Sequence, residues 1–143
     1  MFFVKCDGGR SKAGYRGETS DCVCRAIAIA AELPYEQVYQ DLNATALHER
    51  PRGARQRSHA RTGVHRQSYD RYLKKLGFRW VPCMKIGTGC HVHLQEEELP
   101  MGRLVVRVSK HMVAVIDKTI YDTHDPSRDD KRCVYGYYIK ETK

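Results

Sequence analysis

One cysteine of the chain stands where its thiol could act as a nucleophile. Cys22 follows Thr19-Ser20-Asp21 and opens a segment with helical periodicity, so it is expected in the first turn of a helix. The unpaired amides and the dipole at a helix N-terminus favour the thiolate, which is the reactive form of cysteine. Without a base nearby, Cys22 would be no more than a small residue at a helix end.

A histidine and an aspartate further along the chain could supply that base and its orienting acid. His111 opens one apolar strand and Asp122 closes the next, with Asp117-Lys118 as the two-residue turn between them. This pairing places Asp122 diagonally across from His111 on one face, at ~7–8 Å between backbones. A turn shifted by one residue would bring Asp125 opposite His111 instead. Either carboxylate could orient the imidazole as a catalytic triad requires, although a surface histidine and a turn aspartate would give the same pattern.

The elements that must position these residues follow from the apolar periodicity. The pattern predicts three helices, at roughly 22–32, 35–46 and 65–76, after a polar, glycine-rich loop over residues 7–20. It then changes to strands, at 78–84, 104–108, 111–116, 119–123 and 134–139. Helices followed by strands indicate an α+β domain, with amino-terminal helices packed on a carboxy-terminal antiparallel sheet.

The chain order of these residues resembles that of papain-like cysteine peptidases, in which a cysteine opens an early helix and a histidine begins a later strand. The segment 110–116 looks like their histidine strand, and Asp122-Thr123-His124 looks like the segment that orients the histidine. Asp125-Pro126 is similar to a strand end in bacteriocin-processing bacterial peptidases. Around residues 17–28 and 109–127 the chain also resembles small proteins carried by tailed bacteriophages, a likeness that brings no established activity.

The resemblance implies one papain-like domain over residues 1–143. It implies a thiol hydrolase that cleaves a peptide or isopeptide bond of a peptide or protein through an acyl-enzyme. Cys22 would be the nucleophile, His111 the general base and acid, and Asp122 the orienter, with Asp125 as the alternative orienter.

The chain departs from the papain-like pattern at the oxyanion hole. These enzymes carry a glutamine some six residues before the cysteine, and Arg16 stands there instead. Thr19, Ser20 or the backbone amides at Cys22 are the candidate substitutes, because amides at a helix N-terminus can stabilise an oxyanion.

The remaining cysteines suggest neither metal nor disulfides. With no export signal recognised in the sequence, we expect all six thiols to be reduced. Cys24 lies about 200° from Cys22 around the helix and is expected in the core, as are Cys6 and Cys133. No metal or other cofactor is expected, because the spacing of one further group departs from known zinc motifs; that group comprises Cys83, Cys90, His91 and His93.

Positive charge is concentrated in one stretch. Between residues 48 and 79, ten basic and two acidic residues account for the whole net charge of +8. In a catalytically degenerate domain, this stretch could bind nucleic acid or a host protein. It could also be no more than a solvated surface. A third possibility is a flap over the cleft, which selects acidic substrates or keeps the thiolate ionised. We favour the flap, although no nucleic-acid-binding motif decides the matter. The candidate contact residues are Arg52, Arg55, Arg57 and Arg61.

The sequence gives no indication of a membrane partner. No run approaches the ~20 apolar residues that a membrane span needs. The expected location is the cytoplasm, which would be the host cytoplasm if the protein is encoded by a phage.

Overall fold

The structure, a computed structural model, describes residues 1–50, 56–85 and 87–141. Over these residues the fold is α+β, with three α-helices and one six-stranded sheet. In the same ranges, no helix has the length and apolar character needed to cross a membrane. The helices are α1 (Cys22–Ala31), α2 (Tyr35–Ala46) and α3 (Arg66–Lys75), and the strands are β1 (Phe2–Lys5), β2 (Phe78–Pro82), β3 (Arg103–Val108), β4 (His111–Ile116), β5 (Thr119–Asp122) and β6 (Val134–Lys140).

The sheet is mixed, so the expectation of a purely antiparallel sheet built from the carboxy-terminal half is wrong. Its strand order is β1-β5-β4-β3-β6-β2. The pairs β5-β4, β4-β3, β3-β6 and β6-β2 are antiparallel, but β1 lies parallel to β5 with Phe3 opposite Ile120. β1 is not among the predicted strands, because its four residues carry no readable period and its pairing is with a distant strand.

Helices cover one face of the sheet, and a long connection covers the other. The helical side buries Ile27, Val38 and Leu73 against Val105 and other sheet residues. On the opposite face, Leu94 and Leu99 from the segment between β2 and β3 pack on the alternate residues of β3, β4 and β5. This alternation of side chains between two buried faces explains why the central strands are almost wholly apolar.

A disulfide bond links the connection that covers the second face to the residue directly before β6. Cys90 and Cys133 are bonded, with 5.9 Å between their Cα atoms, and His93 forms a β-bridge to Cys133. The expectation of six reduced thiols is therefore wrong for this pair. The expected burial of Cys133 and Cys6 is also wrong, because both are half-buried. Distant cysteines cannot be paired from their spacing alone.

The hairpin of β4 and β5 has the predicted turn and register. Asp117 and Lys118 both have positive φ, 47° and 68°, as a type I′ turn requires. Ala114 pairs with Tyr121, which is the third pair from the turn. The free end of this hairpin therefore carries the start of β4 and the end of β5 together, beside the N-terminus of α1.

Candidate active site

Cys22 is the first residue of α1, and the amides around it are open. Asp21 occupies the N-cap position, but its side chain makes no capping hydrogen bond. Its carboxylate instead accepts hydrogen bonds from Arg25 at 2.5 Å and Tyr35 at 2.6 Å. Among the described residues none accepts a hydrogen bond from the Cys22 amide, so this N–H remains available to a ligand.

The histidine beside Cys22 is held by a buried carboxylate. His111 Nε2 lies 2.6 Å from Asp122 Oδ2, and Asp122 is 1% exposed. The other carboxylate oxygen accepts hydrogen bonds from the Thr123 amide at 2.7 Å and from Arg25 Nη2 at 3.0 Å. Since Nε2 is engaged in this way, Nδ1 is the imidazole nitrogen left to face the thiol.

Asp125, the alternative orienter, has a different contact. Its carboxylate accepts a hydrogen bond from the Ser127 amide at 2.9 Å, which is the local turn that an aspartate before proline favours. The structure therefore brings Asp122, and not Asp125, to the imidazole.

The three side chains shift one another's pKa values so that the charged form of each is favoured. Burial alone would raise the pKa of the Cys22 thiol, but the hydrogen bond and charge of His111, the Met112 amide and Arg25 lower it below its ordinary value. Burial would lower the pKa of His111, yet hydrogen bonds to Asp122 and Cys22 raise it to about 9. Burial would raise the pKa of Asp122, but the hydrogen bond and charge of His111 outweigh this effect and lower the pKa below its ordinary value. These shifts favour a thiolate facing an imidazolium over the neutral thiol–imidazole pair.

A buried arginine supports the orienting carboxylate. Arg25, one turn after Cys22, donates to Asp21 through Nη1 and to Asp122 through Nη2. Tyr35 completes this network from the start of α2. Two carboxylates that are each 1% exposed thereby share one guanidinium as an ion-pair partner, which fixes the position of β5 relative to α1.

The two predicted oxyanion side chains have different surroundings. The Thr19 hydroxyl donates to the Arg61 carbonyl at 3.0 Å, and the Ser20 amide donates to the same oxygen at 2.7 Å. The Thr19 proton is therefore engaged, whereas within the described ranges the exposed Ser20 hydroxyl has no hydrogen-bond partner. Together with the Cys22 amide, Ser20 is the donor best placed for an oxyanion.

Two clefts of about 570 Å³ each meet at Cys22 and His111. This volume lies within the range of small-molecule and peptide-binding sites. The first cleft, between α3 and the β3–β4 end of the sheet, also contains Tyr69 and Arg107. The second, beside the amino-terminal loop, also contains Arg10. A chain laid across the thiol would therefore find a groove on either side of it.

The four arginines predicted to contact a partner differ in their surroundings. Arg52 and Arg55 lie outside the described residues. Arg57 is exposed, but Arg61 donates to the carbonyls of Glu18 and Arg16, both at 3.1 Å, so it braces the segment before Cys22. Residues 63–67, which follow it, line the first cleft.

The other cysteines and histidines do not form one centre. Cys90 is in the disulfide and His93 contacts Glu98, so the Cys83, Cys90, His91 and His93 group does not converge. Cys24 is fully buried, as predicted, and burial raises its pKa to about 12.

One trio near the cleft could in principle bind a metal. Ligand atoms of His111, Asp122 and His124 lie within 4.8 Å of one another. However, a metal ion would have to displace the hydrogen bond between His111 and Asp122, so the trio fits the acid–base pair better than a metal.

Sequence reasoning gave no role to three residues of the site. Arg25 lies in a helix that looked apolar on its inner side, and its two acidic partners are four and 97 residues away. Tyr69 lies in the third predicted helix and Arg107 in a predicted strand, and neither residue is distinctive there. The i,i+4 spacing of Asp21 and Arg25 was the one local signal.

Comparisons with protein-family models, with curated proteins and with solved structures give no match to this chain.

Proposed function

We propose that this protein is a thiol hydrolase with a papain-like arrangement, which cleaves a peptide or isopeptide bond through an acyl-enzyme. The observation that carries the proposal is the order of Asp122, His111 and Cys22 at the open N-terminus of α1, in which His111 hydrogen-bonds Asp122 and lowers the pKa of Cys22. A thiolate, a protonated imidazole and a buried carboxylate in this order are what nucleophilic acyl transfer requires.

The chemistry follows from these positions. The Cys22 thiolate attacks the carbonyl carbon and forms a C–S bond, and the negative oxygen is stabilised by the Cys22 amide and the Ser20 hydroxyl. His111 donates its proton to the leaving nitrogen as the C–N bond breaks, which releases an amine and leaves a thioester. Neutral His111 then accepts a proton from water, whose oxygen attacks the thioester. The C–S bond breaks, a carboxylic acid leaves, and the thiolate–imidazolium pair is restored.

Asp122 and Arg25 act on this cycle through His111. Asp122 holds the imidazole by Nε2, so that Nδ1 points at both the sulfur and the leaving group. Arg25 keeps Asp122 ionised and in place. Asp122 is therefore an orienting residue, and Arg25 is a positioning residue behind it.

A peptide library digested in ¹⁸O-labelled water tests the proposal. Wild-type protein should create new carboxyl termini that carry one labelled oxygen, and Cys22→Ala should create none. Cys83→Ala is the matched control, because Cys83 is also half-buried and unpaired but lies outside both clefts. Equal cleavage by Cys22→Ala, or no cleavage by folded wild-type protein, would overturn the proposal.

A further inference from the structure

The cleft between α3 and the β3–β4 end of the sheet carries positive charge without negative charge. Its lining includes no aspartate or glutamate. Its permanent cations are Arg66 on α3, Arg107 on β3 and Lys110 in the β3–β4 turn, and two histidines, His65 and His111, also line it. Over the described ranges, none of these three cations forms an ion pair with a carboxylate. The second cleft differs, because Asp7 and Asp21 line it beside Arg10 and Arg25.

Two of these cations are held in place by aromatic rings. The Arg66 guanidinium lies over Trp80, 5.2 Å from the ring centroid, and that of Arg107 lies over Tyr135 at 5.7 Å. Stacking restricts the guanidinium plane but leaves its N–H groups unsatisfied, since a ring face accepts no more than a weak contact. Arginines fixed in this way are ready to bind an anion with little further loss of conformational freedom.

A tyrosine hydroxyl lies among the same cations. Tyr69 lines the cleft, is 5% exposed, and has its ring packed edge-on against Tyr138 at 6.2 Å. Within the described part of the chain its hydroxyl has no hydrogen-bond partner. Burial raises the pKa of Tyr69, while the charges of Arg107 and Arg66, which line the same cleft, act in the opposite sense. The hydroxyl is a neutral donor beside two cationic ones.

We infer that this cleft binds the carboxylate of an aspartate or glutamate next to the bond that is cleaved, through Arg66, Arg107 and the Tyr69 hydroxyl. The inference rests on the proposed function, because the cleft begins at Cys22. Lys110 lines both clefts, but of the two only the first contains arginines without a carboxylate partner and no acidic residue, so the acidic residue is selected on one side of the bond alone. A concave cleft beside a nucleophile, rather than a continuous basic stripe, favours a peptide carboxylate over a nucleic-acid backbone.

Cleavage-site profiling and matched peptides test this inference. The sites cut in the peptide library should be enriched in aspartate or glutamate at one position, on one side of the bond. Changing that glutamate to glutamine in a synthetic peptide should lower kcat/KM roughly tenfold, as expected for a charge-assisted contact. The double variant Arg66→Gln/Arg107→Gln should lose this preference, so that kcat/KM becomes equal for the glutamate and glutamine peptides. Tyr69→Phe should lose part of the preference. Arg79→Gln, which alters an exposed arginine outside the cleft, should keep it.

A binding measurement separates this inference from the proposed function. Fluorescence anisotropy with Cys22→Ala protein, read without turnover, should show a labelled Glu-rich peptide binding about tenfold tighter than its Gln counterpart. The double variant should abolish that difference. Equal affinities, or acidic residues enriched equally on both sides of the cut, would overturn the inference even if the enzyme is active. A mixed oligonucleotide that binds more tightly through the same arginines would overturn it in favour of nucleic acid.

Discussion

Replacing His111 with alanine should slow alkylation of Cys22 at pH 7 about tenfold. The substitution removes the hydrogen bond and the charge that lower the pKa of Cys22, but leaves the burial that raises it. A thiol with an ordinary pKa of ~8.5 is only about 3% ionised at pH 7, so the thiolate fraction can fall by roughly 30-fold from full ionisation. Part of this loss is offset, because a thiolate of higher pKa is the stronger nucleophile, with a Brønsted slope of ~0.4–0.5.

Isotope-coded iodoacetamide measures this rate at each cysteine. Brief labelling of the native protein with the light reagent is followed by denaturation and the heavy reagent, and fragmentation of the tryptic peptide 17–25 separates Cys22 from Cys24. In wild-type protein Cys22 should react fastest of the four unpaired thiols, since burial raises the pKa of both Cys24 and Cys83.

Two controls distinguish loss of ionisation from loss of structure. His124→Ala removes an exposed imidazole whose ring centroid is 5.3 Å from that of His111, and it should leave the rate of Cys22 nearly unchanged. At pH 10, the wild-type and His111→Ala rates should converge to within a few-fold, because most of the thiol is ionised in both. If His111→Ala labels at the wild-type rate at pH 7, or if Cys24 labels first in wild-type protein, the thiolate–imidazolium pair is refuted.

Three further predictions follow from the same contacts. Asp122→Asn should move the NMR titration midpoint of His111 from about 9 towards or below 6.5, since burial then acts with less opposition; a midpoint unchanged near 9 would contradict the assigned cause. Arg25→Gln leaves two buried carboxylates without their shared cation and should lower the free energy of unfolding in urea by ~3 kcal/mol or more, whereas a loss below ~1 kcal/mol would refute its structural role. The protein unfolded without reductant should take up four carbamidomethyl groups by mass, and six after reduction; breaking the Cys90–Cys133 bond, which spans 43 residues, should cost up to about 4 kcal/mol in urea.

The parts of the site that depend on local sequence could be predicted. Cys22 lies at the start of a helix because the apolar period of α1 begins there, and Asp122 meets His111 because a two-residue turn determines the hairpin register. The turn residues and the alternation of side chains settle this geometry within about fifteen residues. No distant contact was needed to predict it.

The parts of the fold and of the site that depend on pairing between distant residues could not be predicted from the sequence. β1 joins β5 across more than a hundred residues, and Cys90 reaches Cys133 across 43. The support that Arg25 gives to Asp122, 97 residues later, appears only once α1 is packed on the sheet. The unpaired cations of the first cleft follow the same rule, because Arg66 and Arg107 come from different elements and neither is distinctive in its own segment.

The mass of the reaction intermediate tests the proposed acyl-enzyme on Cys22 most directly. An intact peptide of a sequence that the protein cleaves is mixed with the protein, and the reaction is quenched in acid within milliseconds to seconds. The tryptic peptide 17–25 of the protein is then fragmented. We expect an added mass equal to the acyl part of the substrate on the Cys22 sulfur, which neutral hydroxylamine removes and which Cys22→Ala protein never acquires. Continued turnover without acyl mass on Cys22, or with that mass on another residue, would contradict this expectation.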